Sequence, residues 1–194
     1  WIKRRTQTGD DADYLPTFFG AEPAHQSIHP IPDVSPEYCT QQLSISGRWH
    51  DRLPHFRLDF TPSRGDELQS EYLLPIEHAV EAINSLNEIR DKIAPHLLTS
   101  EIRTIAADNL WMSPCYQQDC VAFHFTWQPD WDSVKLVVHS IEERLLPLSA
   151  RPHWGKLFTA HQSEIKPQFP KWDEFIHLKH ELDPQGKFMN PFLE

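Results

Sequence analysis

The feature that most restricts this chain is the order of its hydrophobic periods between residues 68 and 159. Residues 68–74 (LQSEYLL), stopped by Pro75, read as a strand. In 77–94, Ala79, Val80, Ile83, Leu86, Ile89 and Ile93 recur at steps of three or four, which is the helical period, and Pro95 ends it. Residues 97–106 and 120–127 (CVAFHFTW) read as strands. Val134, Val137, Val138, Ile141 and Leu145 predict a helix over 131–146, and 153–159 reads as a short strand. Strand, helix, strand, strand, helix, strand is the split βαβ, or ferredoxin-like, order. It predicts an α+β fold in which an antiparallel sheet has helices on one face and leaves the other open.

Around that core the signals are weaker. A last helix is expected over 171–182, closed by Asp183-Pro184. An alternating run at 56–60 reads as a strand extending the sheet at an edge, and 1–5 as the end of another strand. Residues 9–55 are rich in Pro, His, Asp and Ser and carry no sustained period, so they read as a long surface excursion with at most one short helix. The expected organisation is an irregular part over 1–55, the split βαβ core over 56–160 and a C-terminal tail over 161–194.

Composition excludes several classes. Hydrophobic residues make up 39% of the 194 residues, enough for a core. A net charge of -10 with no basic stripe argues against nucleic acid as a partner and against anionic membranes. No apolar run approaches the ~20 residues that span a bilayer, and no signal peptide is visible. Cys39, Cys115 and Cys120 are odd in number and lack the spacing of a zinc knuckle, which suits reduced thiols in a cytoplasmic protein. His177 and His180 lie three apart on the last helix, but no third ligand is evident, so no metal is expected.

Two strands carry the candidate chemistry. Glu101 and Arg103 are two apart and share a face, with Ile102 turned toward the helices. On the next strand His124 and Thr126 share one face, and Phe123, Phe125 and Trp127 the other. With both apolar sets under the helices, Glu101, Arg103, His124 and Thr126 meet on the open face. Such a set suits recognition of hydroxyl groups, each of which needs a donor and an acceptor when buried. It equally suits a solvated face with an ordinary surface ion pair. In RPHWGK (151–156), Gly155 marks a close approach and Lys156 shares a parity with Trp154 and Phe158. Lys156 reads either as an ammonium placed in apolar surroundings for proton transfer or as a lysine reaching out from a sheet edge.

The runs SEYLLP (70–75), TSEIRTIAADNLWMSP (99–114), VAFHFTW (121–127), RPHWGK (151–156) and DPQGKFMNPF (183–192) together resemble the C-terminal half of alditol oxidases, as does WHDRLPHFR (49–57). These belong to the vanillyl-alcohol-oxidase superfamily and include the xylitol oxidases. The tail is similar to that of aldonolactone oxidases too, but those tend to have Ala where this chain has Gly155. The resemblance implies the cap, or substrate, domain of a flavin oxidase, covering FAD that a separate N-terminal domain of the same polypeptide binds. It implies oxidation of the terminal hydroxyl of alditols such as xylitol or sorbitol, with O2 giving H2O2, and a small polyol as the partner. The family's polyol-binding positions fall on Glu101, Arg103, His124, Thr126 and Lys156, with Lys156 and Arg103 steadying the reacting oxygen. The family's flavin-linking His and pyrophosphate loop have no match here, so this chain alone is expected to be inactive. The rival readings are a sugar-lactone oxidase or dehydrogenase and a stand-alone carbohydrate-binding module.

Overall fold

The computed structural model describes residues 3, 5, 17–30, 34–57 and 65–190. The chain divides into two compact units, Trp1–Gly65 and Asp66–Glu194.

The first unit is held mainly by loop contacts. Its one α-helix among the described residues is α1 (Trp49–Arg52). Cys39 and Phe56 form an isolated antiparallel bridge, flanked by Thr40 N–H donating to His55 O and Arg57 N–H to Tyr38 O. The Lys3 ammonium donates to the carbonyls of Arg52, Leu53 and Pro54. The expected strand at 56–60 is therefore present only as the Phe56 bridge, outside the main sheet, and 58–60 lie beyond the described residues. Of the expected strand end at 1–5, only 3 and 5 are described.

The second unit is α+β. Its strands are β1 (Leu68–Pro75), β2 (Leu97–Ile105), β3 (Cys120–Trp127) and β4 (Arg151–Pro152). They form one antiparallel sheet in the order β2-β3-β1-β4, the split βαβ arrangement. The helix between β1 and β2 is interrupted: α2 (Ala79–Glu88) and α3 (Arg90–Ile93) are separated at Ile89, whose φ of -108° and ψ of 14° leave the helical region. Helix α4 (Trp131–Leu145) follows β3, and Asp130 caps it by accepting a hydrogen bond from Ser133 N–H. The short α5 (Gln162–Ile165) and then α6 (Trp172–Leu182) complete the unit.

Strand alternation decides what is buried. Tyr72, Leu74, Phe123, Phe125 and Trp127 pack against Ala82, Leu86, Val134, Val138, Ile141 and Leu145 from α2 and α4. The buried Glu142 carboxylate joins this layer to the next segment. It accepts hydrogen bonds from Tyr72 Oη (2.8 Å), Thr159 N–H (2.8 Å) and the Thr159 hydroxyl. On the opposite face Leu73, Cys120, Ala122, Ile105 and Cys115 form a smaller apolar cluster. Burial and the hydrogen bond with Cys120 push the Cys115 thiol up to about 12, which disfavours the thiolate.

One expected strand is absent. Residues 153–159 are not a strand, because the chain leaves the ladder after Pro152. His153 N–H donates to Glu71 O and Leu157 N–H to Gln69 O, and between them Lys156 N–H closes a turn on His153 O. The aromatic side chains of this segment pack sideways: Trp154 lies 5.0 Å from Phe169 and 6.2 Å from Trp172, ring centre to ring centre. Gly155 serves that turn, its N–H donating to His153 Nδ1 at 3.0 Å; a Cβ added there would meet His153 Cε1 at 3.3 Å.

Candidate active site

The open face carries polar side chains from three strands and one turn. The register sets Glu101 of β2 opposite His124 of β3, and His124 opposite Glu71 of β1. Arg103 stands opposite Ala122, whose methyl group leaves room for the guanidinium to cross β3. The turn after β4 brings Lys156 over the same face from the other side.

These groups form a connected cluster. Lys156 Nζ donates to Glu71 Oε2 at 2.6 Å, in a pair whose side chains are 16% and 6% exposed. Arg103 Nη1 donates to Glu71 Oε1 at 3.4 Å, and its Nε and Nη2 donate to Glu101 Oε2. Arg103 Nη2 also lies 3.4 Å from His124 Nδ1. Of the five sequence-derived residues, four (Glu101, Arg103, His124 and Lys156) are thus joined. Thr126 shares the face, half-buried between Gln69 and Thr99 in the register, one strand step from His124. It makes no hydrogen bond to the cluster.

Glu71 is the member that sequence reasoning missed. It sits inside the run SEYLLP, where one carboxylate attracts little notice. The available signal was its parity with Gln69 and its place on the strand that the split βαβ order makes β3's neighbour.

Electrostatics fix the states of the two most buried members. Burial pushes the Glu71 carboxyl up, but the hydrogen bond and charge of Lys156, with the charge of Arg103, outweigh it and hold the group below its ordinary value. Burial, reinforced by the Lys156 cation, lowers the His124 imidazole below its ordinary 6.5, against the opposing pull of Glu71 and Glu101. His124 is therefore neutral at neutral pH. His124 Nδ1 faces both the Arg103 donor at 3.4 Å and Glu101 Oε1 at 4.0 Å, and its Nε2 is buried with no hydrogen-bonding partner among the described residues. Two carboxylates, two cations and one neutral imidazole leave the cluster without net charge.

A pH dependence of stability follows. Both folded-state values are depressed, so each group contributes stability that is present above its unfolded-state value and lost as pH falls through the folded one. For His124 the loss begins below about 6.5, and for Glu71 below about 4.3. Urea midpoints of wild type and His124→Asn should converge as the pH falls below about 6.5, because the variant has no imidazole to charge. A constant difference between them down to pH 5 would contradict this.

Comparison with known proteins places the chain. The family model described as ALO, D-arabinono-1,4-lactone oxidase, matches residues 62–194, and the chain belongs to that family. Over 193 residues it is 49% identical to an alditol oxidase of Streptomyces sp., covering 100% of this chain and 45% of that protein. It is 30% identical over 131 residues to the L-gulonolactone oxidase of Scyliorhinus torazame, covering 64% of this chain and 30% of the relative. It is 28% identical over 127 residues to an L-gulono-1,4-lactone dehydrogenase of Mycobacterium tuberculosis, covering 64% and 29%. The chain spans less than half the length of these relatives.

Proposed function

We propose that this chain is the substrate-binding part of a longer FAD-dependent oxidase that converts the terminal CH2OH of an alditol to an aldehyde. The observation that carries this reading is the charge-balanced cluster of Glu71, Lys156, Arg103 and Glu101 on the open face. A neutral cluster suits a neutral, polyhydroxylated molecule, since its cations are already compensated against a phosphate or carboxylate group. The 49% identity to an alditol oxidase supports the same reading.

The roles follow from the geometry. The hydroxyl loses its proton to water at the open face as its carbon loses a hydride. Lys156 and Arg103, both cationic and pre-placed, stabilise the negative charge that develops on that oxygen. Lys156, tied to Glu71, acts in this reading as a charge and a donor rather than as the proton acceptor that the sequence also allowed. His124 and Glu101 help fix the hydroxyls, and Thr126 holds one remote from the reacting carbon. FAD supplies the hydride acceptor when bound, and O2 takes the two electrons, with two protons, as H2O2. In this reading the main FAD-binding residues belong to the N-terminal remainder of the polypeptide.

A sugar lactone is also neutral and polyhydroxylated, and the lactone-named relatives favour it as the second reading. Peroxide production by the longer, FAD-loaded polypeptide with xylitol, sorbitol and D-arabinono-1,4-lactone decides between them. Turnover of the two alditols is expected, and none from the present chain alone. Turnover of the lactone alone would overturn the alditol reading.

A further inference from the structure

We infer that Glu71 is a positioning residue of this site: its carboxylate holds the Lys156 ammonium over the open face and, through Arg103, orients His124. The inference rests on the substrate reading above and adds to it a residue from a strand that reading does not use. β1 lies between β3 and β4. From there one carboxylate reaches Lys156 on the turn after β4 with Oε2, and Arg103 two strands away on β2 with Oε1. Among the described residues, the charged and titratable groups paired around it are Glu101 and Arg103 from β2, His124 from β3 and Lys156 from the turn.

Burial explains why Glu71 serves the protein rather than the substrate. A carboxylate with only 6% of its side chain exposed must be paired, and both its oxygens are taken by cations. Glu101, with 49% of its side chain exposed, is the more accessible of the two carboxylates, with Oε2 on Arg103 and Oε1 4.0 Å from His124 Nδ1. Lys156 needs such a partner because its turn is bonded to β1 only through the backbone at each end, at Glu71 O and Gln69 O. Without Glu71 its long side chain has many rotamers and no fixed place for the charge. The carboxylate therefore fixes the location of the ammonium.

Glu71→Gln keeps the shape and removes the charge. In the present chain, acetylation of Lys156 by acetic anhydride at pH 8, followed by mass spectrometry, is expected to be about tenfold faster in Glu71→Gln, with the other lysines unchanged. In the FAD-loaded longer polypeptide, the limiting rate of alditol-driven flavin reduction should fall more than KM rises. If Glu71→Gln fails to fold, Glu71→Asp, which withdraws the carboxylate by one methylene, should show the same effects in smaller degree. Wild-type acetylation and a wild-type limiting rate in the variant that folds would overturn the role of Glu71 and leave the substrate reading standing. Wild-type polypeptide that oxidises neither alditol nor lactone would overturn the substrate reading, while the acetylation contrast still judges Glu71.

Discussion

Lys156→Met in the FAD-loaded polypeptide is expected to slow flavin reduction by saturating alditol by about 10²–10³-fold, roughly 2.7–4 kcal/mol. Met keeps the length and apolar stem of the side chain and removes its cation. The loss should fall on the limiting rate, because the charge it would stabilise develops only as the hydroxyl is deprotonated. Thr126→Val provides the contrast. It removes a hydroxyl placed away from the Lys156–Glu71 pair, so its cost of about 1–3 kcal/mol should fall on KM. Anaerobic stopped-flow reduction reads both variants. A Lys156→Met enzyme that reduces its flavin at the wild-type rate would remove Lys156 from the chemistry.

The second large effect is expected from Trp127→Ala, a loss of about 3–5 kcal/mol in stability. Trp127 is completely buried at the end of β3, stacked on Phe125 at 5.2 Å, with Nε1 donating to Ser70 Oγ at 2.9 Å. Truncation empties the space beneath the helices and leaves the buried Ser70 hydroxyl without its donor. Urea unfolding of the present chain should show a lower midpoint at similar slope. Trp127→Phe, which fills most of the cavity, should recover part of the loss. An unchanged midpoint in the Ala variant would mean that this corner of the sheet is not held by packing.

The sheet and its facing were legible because β3 alternates and pairs with β2. Ile102, expected beneath the helices, is 58% exposed, because β2 is the edge strand and Ile102 lies outside the main helix-covered core. A register shift between Leu97 and Thr99 also interrupts the pairing of β2. A one-residue slip would have sent every side chain to the wrong face, yet Glu101, His124 and Thr126 share the side opposite Phe125 and Trp127. The segment after β4 was misread for an equally physical reason. Trp154, Lys156 and Phe158 alternate as strand residues do, but a turn delivers Lys156, and Trp154 packs on Phe169 from a later part of the chain. Alternation cannot distinguish a strand from a turn that returns every second residue to one side. Trp154 and Phe158 of this segment pack edge-to-face at 6.3 Å. They are half-buried, and the exposed apolar side chains of the tail are Phe175, Leu178 and Leu182 on α6, with Phe188. Glu71 escaped notice because its importance lies in its two partners, 32 and 85 residues away in sequence.

The charge balance of the open face also bears on how the site meets its medium. At physiological ionic strength the field of a charge fades over about 8 Å, and a compensated cluster projects little even inside that range. An uncharged polyol is not steered toward it by long-range attraction, and the chain's net charge of -10 neither draws nor repels such a molecule. Encounter is then governed by diffusion and contact, and affinity should stay level as salt is raised from low to molar concentration. A site that gripped a phosphate through unpaired cations would lose its hold over the same range.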